Sequence, residues 1–148
     1  KRLCTRAEYQ SACRGQDDTR YPYGSAYRAG ACNVSRRLHP AAWLHDHAAV
    51  GHLDPRLVHV ADAEGPLLRA TGTSLECASR WGDDAIYDLV GNLDEWVEEK
   101  GGAFAGGAFM RRSKSGCSAL VRDHPEHYLD YSTGFRCCRD PVRIPLSR

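Results

Sequence analysis

Tyr87-Asp88-Leu89-Val90-Gly91-Asn92-Leu93-Asp94-Glu95-Trp96 is the stretch on which the reading of the whole chain turns. Aromatic residues frame a central glycine, and carboxylates stand on both sides of it. A glycine turn of this kind lets its Asp and Glu cap a neighbouring element. The same oxygens are also what a hard cation collects, together with backbone carbonyls. From Ile86 onward the chain stays aromatic and glycine-punctuated, through Trp96 and Gly101-Gly102 to Gly106-Gly107. Its 14 glycines are scattered, which predicts a loop-rich fold and not a linker.

Upstream, Thr5-Arg6-Ala7-Glu8 has the pattern of a capping box, with Cys4 and Tyr9 at the positions of a hydrophobic staple. This predicts a short helix from about Arg6 to Cys13, ending at Gly15. Tyr21-Pro22-Tyr23-Gly24 reads as a turn. Between Ser35 and Arg80, short apolar runs are broken by Pro40, Pro55 and Pro66; irregular loops and short strands are expected there. The terminal Gly134-Phe135-Arg136-Cys137-Cys138 reads as a closing core strand. Neither an internal repeat nor a low-complexity tract is present.

Seven cysteines, at positions 4, 13, 32, 77, 117, 137 and 138, are too many for an ordinary cytosolic domain of 148 residues. Their spread lacks the paired spacing of a structural zinc site and favours disulfides in an oxidising compartment, hence a secreted, periplasmic or cell-surface location. Cys4 and Cys13 lie about 13 Å apart along the expected helix, beyond the roughly 7 Å that a disulfide allows. Cys137 and Cys138 are adjacent and extended, so they point to opposite faces and need separate partners. The length suits a single domain, residues 1–148. A formal net charge of +1 gives no electrostatic case for nucleic acid, and no apolar run is long enough to span a bilayer. The chain opens at Lys1 without Met or signal peptide, and is read as a piece of a longer precursor.

Four landmarks in one order carry a resemblance: Arg2-Leu3-Cys4-Thr5-Arg6-Ala7-Glu8-Tyr9, Tyr21-Pro22-Tyr23-Gly24, the stretch from Tyr87 to Trp96, and Gly134-Phe135-Arg136. This order resembles the C-terminal half of the sulfatase-modifying-factor family, to which the formylglycine-generating enzyme belongs. The match is good over 1–33 and 86–140 and poor between. The resemblance implies an α+β, C-type-lectin-like fold with little regular secondary structure, stabilised by calcium and disulfides. It also implies an N-terminal part of about a hundred residues before Arg2.

Residues matching a calcium site of that enzyme are the side chains of Asp88 and Glu95 and the carbonyls of Gly91 and Leu93. Asn33 and Val34 match the start of a second site. The enzyme's Cu(I) is held by two cysteines spaced five apart, because soft thiolates suit that ion. The matching positions here are Arg111 and Gly116, or Cys117 after a one-residue shift, so copper oxidase chemistry is not expected unless Cys117 is a free thiol. By the same resemblance Cys13 pairs with Cys117. Cys32 with Cys77 would then close the variable middle, one of Cys137 and Cys138 would meet an upstream cysteine, and the other Cys4. Each bridge would contribute about 2–4 kcal/mol.

The histidines offer a second set of candidate metal ligands. His45-Asp46-His47, with His39, His52 and His59 nearby, would suit Fe(II) or Zn(II) if two imidazoles shared a strand face, but a loop of exposed histidines is the commoner outcome. Pro125 breaks helical ligand geometry in His124-Pro125-Glu126-His127. No nucleophile elbow and no phosphate-binding glycine loop is readable. The residues from Phe104 to Arg112 suit either a binding surface or a core strand followed by a solvated turn. Three functions follow: a non-catalytic module presenting loops 35–80 and 110–130 to a protein or small ligand, a copper oxidase, or a metal enzyme using the His-rich middle. The first is the expectation.

Overall fold

A computed structural model describes residues 1–140. β1 (Arg2–Leu3) leads into α1 (Arg6–Arg14). The helix starts where the sequence places it. The Thr5 hydroxyl accepts from the Glu8 amide and the Glu8 carboxylate takes the Thr5 amide at 2.8 Å, a complete capping box. Gly15, at φ 67°, ends it. Tyr21 and Gly24 exchange backbone hydrogen bonds across the turn at Pro22-Tyr23.

The segment 35–80 departs from the expectation of loops and strands alone. It holds a helix, α2 (Pro40–His45), and a 3₁₀ turn at Pro55–His59, besides the two-residue strands β2 (Ala61–Asp62) and β3 (Gly65–Pro66). Pro40 stands in the first turn of α2, where its missing N–H costs nothing. Leu44 packs against a small core of Val60, Leu67 and Phe109. A helix of six residues is too short for its period to show in sequence.

β4 (Ala78–Trp81) and β5 (Asp84–Tyr87) form a hairpin. The main sheet has the order β8-β7-β6-β9, from β6 (Asp94–Val97), β7 (Ala103–Ala105), β8 (Leu120–Val121) and β9 (Thr133–Phe135). Its pairs are antiparallel except β6 with β9. Residues 103–109 are buried and Arg111 and Arg112 are exposed, so the stretch from Phe104 is a core strand followed by a solvated turn. β10 (Cys137–Cys138) pairs with β1. The expected closing core strand is thus corrected in part: β9 lies at the sheet edge, Phe135 is 67% exposed and Cys137 is exposed. An edge strand leaves one side of its ladder and one face to solvent.

The main core gathers Tyr9, Leu89, Val90 and Val97 around four cysteine sulfurs. Cys13 is bonded to Cys117, Cys32 to Cys77, and Cys4 to Cys138, while Cys137 is a free thiol. No helix among the described residues is long and apolar enough to cross a membrane.

Arg2, with the Thr5 amide and hydroxyl, pulls the Glu8 carboxyl down to about 2 from an ordinary value of 4.5. A lowered carboxylate contributes stability above its unfolded pKa and loses it as pH falls through the folded one. Glu8→Gln should therefore melt below the parent at neutral pH, and the gap should close on acidification from 4.5 towards 2, as read by circular dichroism.

Candidate functional site

The loop from Asp88 to Asp94 is built from backbone that few residues adopt. Asp88, Gly91 and Asn92 have φ of 58°, 80° and 66°. At Gly91 this is obligatory on two counts, since a Cβ there would sit 2.4 Å from the Asn33 carbonyl oxygen. The Asn92 amide donates to that same carbonyl at 2.9 Å, and Gly91 N–H donates to Gly106. Side chains complete the joint: Asn33 Nδ2 donates to Asn92 Oδ1 and to the Leu67 carbonyl, and Asn92 Nδ2 donates to the Arg69 carbonyl. One pair of buried amides ties the variable middle to the motif loop.

The carboxylates of the loop point to different partners. Asp88 Oδ2 accepts the Gly72 N–H at 2.6 Å, and burial pushes the Asp88 carboxyl up. Asp94 is 2% exposed and accepts from Arg111 Nε at 2.9 Å, with burial raising its pKa as well. Both oxygens of Glu95 go to the Arg136 guanidinium, Oε1 to Nη2 at 2.5 Å. Arg136 also donates to the Tyr87 carbonyl and lies over the Tyr9 ring.

In this arrangement the residues that match a calcium site are engaged with the protein's own groups. The Gly91 carbonyl takes the Leu93 N–H, Glu95 is neutralised by a guanidinium, and a second cation there would meet repulsion. Near Asn33 and Val34 the same holds. Arg36, 6% exposed, gathers Asn33 Oδ1, the carbonyls of Gly65 and Pro66, and the Asp62 carboxylate. Among the described residues no group of three or more His, Cys, Asp or Glu converges for a metal. His45 and His47 do not share a strand face, because His45 ends α2 and Asp46 is left-handed. His45 instead faces Asp54 at 3.2 Å, His39 and His52 flank Tyr131, and His124 stacks on Tyr128.

The positions matching copper ligands are equally committed. Cys117 is 1% exposed and joined to Cys13. Gly116 has φ 54°, and a Cβ there would lie 2.3 Å from the Arg20 carbonyl oxygen, so no cysteine fits at that position without moving backbone. Arg111 holds Asp94.

Motifs far apart in sequence thus meet at one place, Glu95 of the third landmark on Arg136 of the fourth, over Tyr9 of the first. The chain matches the model of the sulfatase-modifying factor enzyme 1-like domain over residues 1–141. It belongs to that family. A comparison with curated proteins found no match. The family explains the landmarks of this sulfatase-modifying-factor domain, but sequence reasoning missed the roles of Arg36, Asn92 and Arg136. Asn92 and Arg136 carried a signal, because both lie inside landmarks, whereas Arg36 lies outside all four.

Arg136 retains 24% side-chain exposure, so stranding it is costly but not at the extreme. Glu95→Ala should lower unfolding free energy by about 2–4 kcal/mol, measured by urea titration.

Proposed function

We propose that this domain is a non-catalytic, extracytoplasmic binding module on a C-type-lectin-like scaffold. The observation that carries the reading is the buried bond between Cys117 and Cys13. A thiol tied up in a disulfide is neither nucleophile nor soft-metal ligand. With an arginine and a sterically closed glycine at the other matching positions, the region offers no pair of thiolates for Cu(I). Three disulfides support a location outside the reducing cytosol. Short strands and irregular loops fastened by those bonds support a scaffold whose variable segments meet a protein or small ligand.

The alternative, a copper-dependent oxidase that converts a sulfatase cysteine to formylglycine, requires Cys117 as a free thiol together with a second thiol. Peptide mapping without reductant, after alkylation of free thiols, separates the two. We expect a cross-linked peptide pair containing Cys13 and Cys117, alkylation confined to Cys137, and no withdrawal of Cu(I) from a competing chelator. Alkylated Cys117 with one copper taken up per chain would overturn the non-catalytic reading.

A further inference from the structure

Two adjoining hollows flank residues 111–115. The larger, of about 370 Å³, is walled by Tyr21 and Tyr27 and bordered by Arg20, Arg112, Ser113 and Lys114. The smaller, of about 160 Å³, is reached from Arg111, Arg112, Ser113 and Ser115. Arg112 and Ser113 line both. Four cations therefore border the pair, and no carboxylate lines either hollow, in a chain whose formal net charge is only +1.

These cations are unevenly used. Arg111 is held from behind by Asp94 through Nε, and Arg20 donates to the Lys114 carbonyl at 2.5 Å. No ion pair among the described residues uses Arg112 or Lys114. At the junction of the hollows Ser113 is 6% exposed, and its hydroxyl has no hydrogen-bond partner. A buried hydroxyl is seldom left unpaired, because its desolvation is then uncompensated. Beside it the Tyr21 and Tyr27 rings meet edge-on at 5.9 Å, and Tyr27 is 51% exposed.

We propose that this double hollow binds an oxyanion carried on a flat ring. Arg112 and Lys114 supply charge, the Ser113 hydroxyl donates to the oxyanion, and the ring lies against Tyr21 and Tyr27. The larger hollow has the size of a small-molecule site. Charge-assisted hydrogen bonds select the anion, and the tyrosine faces select a ring over a compact inorganic ion. The inference rests on the binding-module reading above, for which it names a ligand class.

Phenyl sulfate is a suitable probe, titrated calorimetrically into the full chain with its disulfides intact. We expect one saturable site, with phenol and inorganic sulfate, which each carry half the chemistry, binding at least about tenfold more weakly. Arg112→Ala should weaken phenyl sulfate about tenfold or more without moving the melting temperature. Ser113→Ala, which removes the hydroxyl donor at the junction, should weaken it as well. Glucuronate, an oxyanion on a puckered ring, serves as the control: we expect it to bind more weakly than phenyl sulfate, and tighter binding would overturn the flat-ring ligand class. No saturation by phenyl sulfate at millimolar concentration, or an Arg112→Ala variant that binds like the parent, would overturn the proposal. Copper uptake at Cys117 would sink the non-catalytic reading and leave this titration untouched. Lost probe binding with Cys13 and Cys117 mapped as joined sinks the ligand class alone.

Discussion

Arg136 is the side chain on which the distant segments of this fold converge. Its guanidinium takes both oxygens of Glu95 on β6, reaches the Tyr87 carbonyl at the end of β5, and covers the Tyr9 ring of α1. Tyr9 in turn donates to the Leu89 carbonyl at 3.1 Å. A guanidinium removed this far from water is tolerable only if its charge and its donors are matched. The match exists only when helix, hairpin and sheet occupy their native positions together. The interaction therefore selects one arrangement of the segments more than it adds to net stability.

What could be read in the sequence is what is local or what the family pattern carries. The capping box at Thr5 spans four residues, and its geometry follows from residue types alone. The turn at Tyr21–Gly24 is legible for the same reason. Disulfide partners were legible only through resemblance, because Cys13 and Cys117 are 104 positions apart and nothing in their neighbourhoods encodes the pairing. Arg36 was illegible for a different reason. Its partners Asn33, Asp62, Gly65 and Pro66 come from two stretches that look like ordinary loop. Phe135 misled because an aromatic in a strand suggests burial, whereas edge position decides which face is covered.

Positive charge is placed consistently in this domain. Arg36 and Arg136 each gather oxygens that would otherwise be buried unpaired, one from loop carbonyls and a carboxylate, the other from a glutamate. Arg111 does the same for one oxygen of Asp94. Guanidinium groups suit this task because their planar forks satisfy several acceptors at fixed geometry and never lose their proton. These side chains thus act as permanent internal cations, each bringing loop oxygens to a fixed place.

Cys4 and Cys138, joined across β1 and β10, are separated by 134 positions. The two ends of the described fold therefore leave it side by side, from one covalent knot. Tension applied along the polypeptide beyond these residues would pass from Cys4 to Cys138 through the sulfur atoms and bypass the sheet, the helices and the core. Mechanically the domain behaves as a short, inextensible link, whose loops keep their shape while the chain around it is pulled.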